Sequence, residues 1–198
     1  MLAAGAAVNS LPETDGVLPI TPVAGHVVEL EPEDGGTGGA YPEGAPSLLG
    51  PTYLAWAGER LCVGATKEYG EMGAAASAAS GEARGAAADE AAAFLRAEAA
   101  RVWPPSASWR TRRVLRGTRG TPPRTPAGAV PLTGSLNGMR GDEAVASGQD
   151  WWLLGGLGAR GLVYHGLLGR SVADAVLGRD ASRLFEETIA WQSSSSSK

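Results

Sequence analysis

The chain of 198 residues is long enough for one domain with a hydrophobic core, and its formal net charge is −4. This charge gives no electrostatic reason to expect nucleic acid or an anionic membrane surface as a partner. The single cysteine excludes an intrachain disulfide. The two histidines lie far apart in the sequence, and no metal site is predicted.

Membrane insertion and secretion are not expected either. No apolar run approaches the roughly 18–20 residues that a membrane-spanning helix needs. The N-terminal stretch MLAAGAAVNSLPETD has neither the basic start of a signal peptide nor the arginines of a transit peptide. The sequence therefore predicts a soluble intracellular protein without a membrane partner, and it leaves the compartment open, organelles included.

The first elements in chain order are predicted strands. A β-branched run over residues 23–30 predicts a strand, and Gly25 inside it predicts a bulge or a close approach of another backbone segment. Residues 52–56 and 61–65 predict the two arms of a hairpin, with its turn at residues 57–60. This part of the chain is therefore expected to form an antiparallel sheet.

An alanine-rich segment follows the hairpin. Residues 73–88 mix glycine and serine into alanine without an apolar period, which predicts a flexible low-complexity insertion. A helix is predicted from Asp89, which can act as its N-cap, with Phe94 and Leu95 among the apolar residues at helical spacing. The Trp-Pro-Pro of residues 103–105 is expected to end this helix.

The second half of the chain returns to predicted strands and ends in a helix. Residues 108–120 and 150–156 predict strands, and a proline-rich loop with a short apolar segment lies between them. Residues 162–177 predict a helix with Gly178 as a C-terminal cap. Its broad apolar face is expected to comprise Leu162, Leu167, Leu168, Val172, Val176 and Leu177.

The order of these elements predicts the fold class. Regular alternation of strands and helices, typical of a doubly wound sheet, is not seen. We therefore predict an α+β fold with a mixed or antiparallel sheet. Residues 193–198, which are serines and one lysine, are expected to form a disordered tail.

The stretch GGLGARG at residues 155–161 has the G-x-G-x-x-G spacing of a dinucleotide-binding turn. A strand precedes it and a helix follows it, but no second strand with an acidic end follows about 20 residues later. Three interpretations are open. The turn is a dinucleotide fingerprint, as in an NAD-binding protein, or it lets a helix pack on a strand. Alternatively, its helix N-terminus faces an anion or an electron-rich ring.

Five pieces of the sequence, taken in order, carry a resemblance to a known family. They are MLAAGA, LPITPVAGHVVEL, LCVGATKEYG, RGTRGTPPRTPAGAVPLTG and GLGARGLVYHGLLGRSVADAVLGR. Together they resemble the C-terminal portion of FAD-dependent oxidoreductases of the D-amino acid oxidase type. The resemblance is greatest to the branch of glycine and sarcosine oxidases, and to the oxidase half of the bacterial bifunctional enzyme that modifies tRNA wobble uridine. The resemblance covers residues 1–192 as one domain, apart from the insertion at 73–88.

The sequence departs from the family pattern at several points. The family's N-terminal Rossmann βαβ unit, which holds the ADP half of FAD, is not recognised here, so the chain is expected to start after it. The aspartate usual in the loop piece is replaced within residues 125–131, and His26 stands where glutamine is common. A partner chain that supplies the FAD-binding segment is therefore one expectation. A catalytically incompetent fragment, or an interaction module derived from the fold, is the alternative.

The resemblance implies FAD as cofactor and hydride transfer from an amine or amino-acid-like small molecule. It implies that the cofactor is bound by the turn residues Gly156, Gly158, Ala159, Arg160, Gly161 and Leu162. Glycine permits close approach of the backbone, and Arg160 adds positive charge where the reduced flavin becomes negative.

The resemblance also implies a substrate anchor. Arg119 stands at the family's G-x-R position, which binds a substrate carboxylate, and a guanidinium suits that task because it binds in a bidentate manner. The alternative is a solvated side chain, which is expected of most neighbouring arginines: Arg110, Arg112, Arg113, Arg116 and Arg124.

No catalytic residue is assigned from the sequence. His165 follows the glycine turn, but without a nucleophile or carboxylate at a meaningful spacing it is expected to be a packed helix residue. Cys62 lies between apolar neighbours and is expected in the core, and Thr66 is a weaker candidate for a pocket.

Overall fold

The computed structural model describes residues 1–12, 14, 18–33, 41–42, 44–69, 80–126, 128–136 and 150–179. The predicted tail at 193–198 and residues 73–79 of the predicted insertion lie outside these ranges. The chain divides into two compact units. The first comprises Met1–Val23 and Arg119–Lys198, and the second comprises Ala24–Thr118.

The second unit is built on a sheet that has six strands among the described residues. These strands are β1 (Thr21–Glu31), β2 (Leu48–Leu49), β3 (Tyr53–Trp56), β4 (Leu61–Gly64), β5 (Gly81–Ala83) and β6 (Arg110–Thr121). Their spatial order is β2-β3-β4-β1-β6-β5, and the β1–β4, β2–β3, β3–β4 and β5–β6 pairs are antiparallel. The predicted hairpin is confirmed as β3 and β4.

A close contact with a neighbouring backbone segment explains why β1 contains a glycine at position 25. A Cβ atom at Gly25 would lie 2.1 Å from the backbone oxygen of Thr66, a distance at which the two atoms collide. The close backbone approach predicted from the sequence is therefore confirmed, and it joins β1 to the chain that leaves β4.

The helix α1 (Ala86–Val102) covers the core of this unit. Four buried residues, Ala88, Ala92, Leu95 and Ala99, recur at spacings of four and three and form one stripe along it. Small alanines let the helix approach the sheet closely. The core cluster it packs into contains Val28, Leu30, Tyr41, Leu54, Leu61, Val63, Trp109 and Val114.

The predicted end of α1 at Trp103 is confirmed, but its predicted start was wrong. The helix begins at Ala86 with Gly85 as its N-cap residue, so Asp89 lies in its first turn and does not cap it. Residues 81–83 form β5, and therefore the described part of the predicted flexible insertion is ordered. Phe94 is 55% exposed, whereas its neighbour Leu95 is buried.

The first unit pairs β9 (Leu132–Ser135) with β10 (Trp152–Gly155) in an antiparallel ladder. Leu2 adds a parallel bridge to Leu153 on the other side of β10, before the 3-10 helix Gly5–Ser10. A small hairpin joins β7 (Arg124–Thr125) to β8 (Gly128–Ala129). The core of this unit comprises Val8, Leu18, Ile20, Leu132, Leu136 and Leu153.

The second helix of the described chain, α2 (Gly161–Val176), packs Val172 and Ala175 against Trp152 of β10. Gly178 has a φ of +66°, as expected for a residue that closes a helix. The broad apolar face predicted for this helix is wrong, because only Leu168 and Val172 of that set are buried. The exposed members are Leu162, Leu167, Val176 and Leu177.

Taken together, these elements confirm the predicted α+β fold with antiparallel sheets. No described helix is both long and apolar enough to cross a lipid bilayer.

Candidate functional site

The glycine turn connects β10 to α2 in the first unit. β10 ends at Gly155, and a 3-10 helix over Gly158–Arg160 leads directly into α2 at Gly161. Gly156 and Gly158 have φ values of +64° and +55°, in the left-handed region that glycine adopts without steric cost. The backbone of the turn thus accounts for Gly156 and Gly158, whereas Gly161 has a φ of −52° that any residue adopts.

The two glycines with positive φ have different surroundings. A Cβ atom at Gly156 would lie 3.0 Å from Cβ of Pro122, so this glycine lets the turn pack against the chain that follows β6. A Cβ atom at Gly158 would find nothing nearer than Cδ of Pro122 at 4.0 Å. The space beside Gly158 is therefore open to another group.

The start of the helical segment offers unpaired donors. The first N–H groups of a helix have no acceptor in a preceding turn. Here they belong to Gly158 and Ala159, because the N–H of Arg160 already donates to the oxygen of Leu157 at 3.2 Å. These donors and the positive end of the helix dipole favour a negatively charged partner.

Arg160 adds a full positive charge at the same place. Its side chain is exposed, and Nη1 lies 3.4 Å from the hydroxyl oxygen of Tyr164 one turn later in α2. No carboxylate forms an ion pair with Arg160 within the described ranges. The guanidinium is therefore available to a ligand.

The arginines of β6 that precede Arg119 each contact a carboxylate, and Arg110 and Arg112 are also exposed to solvent, as expected. Arg110 and Arg112 contact Glu31 at 2.7 and 3.0 Å. Arg113 donates from two nitrogens to Glu29, and Arg116 contacts Glu68 at 2.5 Å. These ion pairs fix the side chains along the strand.

Arg119 is the exception in β6. It is half-buried, and within the described part of the chain no carboxylate pairs with it. It lies three residues before Pro122, the residue that packs against Gly156. The structure thus packs the segment that follows Arg119 against the glycine turn, a contact between distant parts of the sequence.

The structure also places three other residues that were discussed from the sequence, namely His165, Cys62 and Thr66. His165 is exposed, and its Nδ1 lies 2.9 Å from the carbonyl oxygen of Leu162 in its own helix, so the predicted packed position is wrong. Cys62 is half-buried rather than in the core, and burial raises the pKa of its thiol, which makes it a poorer nucleophile. Thr66 lines a cavity and accepts the backbone N–H of His26 at 2.8 Å.

Sequence reasoning missed a buried carboxylate in the second unit. Glu29 is 5% exposed, and its side chain receives Arg113 at 2.7 and 2.9 Å and Arg60 at 3.1 Å. The hydrogen bonds from Arg113 hold the pKa of this carboxyl below its ordinary value, although burial acts in the opposite direction. Its signal in the sequence is an acidic residue between the core residues Val28 and Leu30.

The comparison with protein families decides the assignment. The model of the family described as DAO, FAD dependent oxidoreductase, matches residues 1–175. The chain belongs to the DAO family. The resemblance inferred from the five sequence pieces is therefore confirmed.

Solved structures of DAO-type folds are similar to this chain. Iminodiacetate oxidase from Chelativorans sp. BNC1 is 21% identical with a TM-score of 0.66, over 93% of this chain and 43% of that one. Glycine oxidase from Geobacillus kaustophilus is 20% identical with a TM-score of 0.64, over 93% of this chain and 42% of that one. At these identities the likeness shows the fold alone. No curated protein matches the sequence.

The coverage also gives the size of the shared part. This chain spans less than half the length of either oxidase. Its family is that of the FAD-dependent oxidoreductases, and the chain corresponds to part of a DAO-type fold.

Proposed function

We propose that this chain forms the substrate-binding and flavin-covering part of an enzyme that oxidises an amine or amino-acid-like substrate bearing a carboxylate. The observation that carries the proposal is the state of Arg119. It is a half-buried arginine without a carboxylate partner in the described chain, three residues before the proline that packs against the glycine turn. A half-buried cation without a partner of opposite charge favours an anionic ligand.

The family implies FAD, and the glycine turn fits it. The open side of Gly158 leaves room for a flat ring, which a side chain at that position would obstruct. When bound, FAD supplies the group that accepts the hydride from the substrate. The N–H groups of Gly158 and Ala159, together with Arg160, would stabilise the negative charge that this transfer leaves on the ring edge.

Arg119 would bind the substrate carboxylate through two parallel hydrogen bonds, which fixes the orientation of the molecule as well as its position. The names of the two structural neighbours agree with such a ligand, because glycine and iminodiacetate both carry a carboxylate one carbon from the amine nitrogen. This agreement supports a substrate class and leaves the individual substrate open.

A partner is part of the proposal. Since the chain spans 42–43% of the neighbouring oxidases, we expect a further segment or a partner chain to hold the ADP half of FAD. The visible absorption spectrum tests this expectation. The chain supplemented with FAD is expected to show weak or no flavin binding, and the flavin-loaded protein that includes the missing portion is expected to show flavin bands.

Steady-state kinetics of the flavin-loaded protein test the role of Arg119. Arg119→Ala is expected to raise the KM for glycine or iminodiacetate about tenfold or more, since a charged hydrogen bond contributes about 1.5–3 kcal/mol. Arg124→Ala is the matched control, because Arg124 is exposed and lies nearby. An unchanged KM in Arg119→Ala would remove Arg119 from this role.

The share of the oxidase length that this chain spans also favours a second candidate, a catalytically incompetent or purely interacting derivative of the fold. This candidate predicts no flavin bands even when the missing portion is supplied. The same spectrum therefore distinguishes it from the enzyme.

A further inference from the structure

The side chain of Ile20, which directly precedes β1, touches the ends of two strands in the core of the first unit. It is only 4% exposed. Its Cγ2 lies 2.9 Å from the position that a Cβ atom would take at Gly120, and its Cδ1 lies 3.0 Å from that position at Gly155. A Cβ atom would collide at Gly120 and would be crowded at Gly155. Both strand ends therefore carry glycine because Ile20 fills the space of a side chain.

The two glycines are direct neighbours of the proposed site. Gly120 follows Arg119 in β6, and Gly155 ends β10 immediately before Gly156 of the glycine turn. The side chain of Ile20 therefore lies between the backbone that carries the substrate anchor and the backbone that leads into the turn. Because protein interiors are close-packed, the size and shape of this side chain set the spacing of the two segments.

A second contact joins the same two segments. A Cβ atom at Gly156 would lie 3.0 Å from Cβ of Pro122, which follows β6. A single contact leaves two segments free to rotate about it, whereas two contacts fix their orientation as well as their distance. Ile20 supplies the second contact, from within the hydrophobic core.

Ile20 is itself held in place by an amide side chain. Nδ2 of Asn9 donates to the carbonyl oxygens of Leu18 and Ile20, each at 2.9 Å. These two hydrogen bonds tie the chain before β1 to the first 3-10 helix. The carbonyl oxygen of Gly5, in the same helix, lies 3.2 Å from the Cβ position of Gly120. The backbone of Ile20 is thus fixed to a helix that also packs on the end of β6.

We infer that Ile20 is a positioning residue, whose side chain sets the placement of Arg119 relative to the glycine turn. The inference rests on the proposed function, in which Arg119 binds the substrate carboxylate and the turn covers the flavin. Reacting atoms must be held in close register, and a misplacement of about 1 Å can cost about 100-fold in rate. Ile20 is buried in the core, so it acts through the two strand ends.

The branched side chain of isoleucine allows the two contacts to be separated. Ile20→Val deletes Cδ1 and keeps Cγ2, so the contact with Gly155 is lost and the contact with Gly120 remains. Ile20→Leu keeps the same number of carbons but lacks the branch at Cβ, so the contact with Gly120 is lost instead. Leu136→Val is the matched control. Leu136 is buried in the same core cluster, and none of the atoms nearest to either glycine belongs to it.

Amide hydrogen exchange of the full chain, followed by mass spectrometry, tests this coupling without flavin. Ile20→Val is expected to speed exchange about tenfold in the peptide that contains residues 153–162. Ile20→Leu is expected to do so in the peptide that contains residues 117–122, and Leu136→Val in neither. The inference is wrong if both Ile20 variants loosen the same segment, if neither loosens either segment, or if Leu136→Val has the same effect.

Single-turnover reduction of the flavin in the loaded protein tests the functional consequence, with glycine or iminodiacetate as substrate. Ile20→Val is expected to lower the limiting rate about tenfold and to leave the Kd of the substrate unchanged, since the contact next to Arg119 remains. Ile20→Leu is expected to raise this Kd about tenfold, because the guanidinium loses its bidentate alignment.

A side chain that only fills the core would lower the thermal stability and leave both kinetic constants equal to those of Leu136→Val. That result would overturn the inference. The proposed function fails separately, since it requires flavin binding and a raised KM in Arg119→Ala. An Arg119→Ala variant with raised KM, beside Ile20 variants with unchanged constants, would contradict the positioning role alone.

Discussion

Glu29 is a buried carboxylate whose charge is compensated from two neighbouring strands. Arg60 directly precedes β4 and Arg113 belongs to β6, so the ion pairs connect β1 to the strands on both of its sides. Bidentate hydrogen bonding by Arg113 makes this interaction directional. The resulting network stabilises one register of the sheet, provided that Glu29 stays ionised.

The acid dependence of stability is expected to depend on Glu29. Because its pKa is lowered in the folded state, the unfolded state binds the proton more readily. Its stabilising contribution is complete above the ordinary glutamate pKa of about 4.3 and is lost as the pH falls through the lower folded value. Glu29→Gln is expected to make the free energy of unfolding less sensitive to pH below about 4.3. Urea denaturation at several pH values measures this sensitivity.

An exposed ion pair provides the control for Glu29. Glu82→Gln removes the contact with Arg84, whose side chain is 85% exposed, and exposed pairs contribute little. The acid dependence of Glu82→Gln should therefore match that of the unchanged protein. Equal acid dependence in the protein and in Glu29→Gln would contradict the role assigned to Glu29.

Gly25 offers a second test at the scale of one residue. Gly25→Ala places a methyl group 2.1 Å from a backbone oxygen, which must move. We expect the free energy of unfolding to fall by about 1–3 kcal/mol, the usual effect of overpacking. Gly117→Ala in β6 is the control, because its Cβ atom would meet nothing within 4 Å. Equal destabilisation by the two variants in urea melts would contradict the steric explanation.

At the scale of elements, α1 depends on a narrow stripe of buried residues. Leu95→Ala removes the largest side chain of that stripe, and we expect a loss of about 2–5 kcal/mol in the free energy of unfolding. Phe94→Ala removes a larger but exposed side chain, so its effect should be small. Thermal melts of the two variants compare the two neighbours directly. A larger effect at Phe94 would show that α1 packs through another face.

The sequence was sufficient for the elements whose pattern is local. β1, the hairpin of β3 and β4, and the strand β6 were predicted close to their observed bounds, because β-branched runs and turn residues specify them. The start of α1 was missed, since alanine carries no apolar pattern although it is the strongest helix former. Ala88, in the missed first turn, packs into the core, and this tertiary contact is not visible in the local sequence.

The candidate site was predictable in part for the same reason. Positive φ at Gly156 and Gly158 follows from local turn chemistry, so the glycine spacing revealed the turn. The contact between Gly156 and Pro122 joins residues 34 positions apart, and no periodicity encodes it. The pairing of Arg113 and Arg116 with distant carboxylates is equally non-local, which is why Arg119 could not be separated from its neighbours by sequence alone.

At the scale of the whole molecule, the first unit leaves an apolar surface on α2. Leu162 is 91% exposed, Val163 76% and Leu167 61%, and all three lie within the first two turns after the glycine turn. Exposed apolar surfaces of this kind often form contacts with another protein segment. Because the chain spans less than half the length of its structural neighbours, we expect this surface to be a contact surface. Under the proposed function, its partner is the portion that holds the ADP half of FAD.

The double variant Val163→Glu and Leu167→Glu tests this surface. Both side chains are exposed, so the thermal stability of the chain alone should change little. Association with the flavin-binding portion should be lost, because two carboxylates would be buried without partners. Leu168→Ala is the contrasting control, since Leu168 is fully buried and its truncation should cost about 2–5 kcal/mol in folding.

Two readouts distinguish folding from association at this surface. Circular dichroism follows the fold of each variant, and size-exclusion chromatography with flavin absorbance follows the complex. We expect the glutamate variant to keep its helical signal and to elute without flavin, whereas Leu168→Ala loses thermal stability first. If the glutamate variant retained flavin as well as the unchanged protein does, α2 would not be the contact surface, and the FAD-binding portion would have to reach the glycine turn from elsewhere.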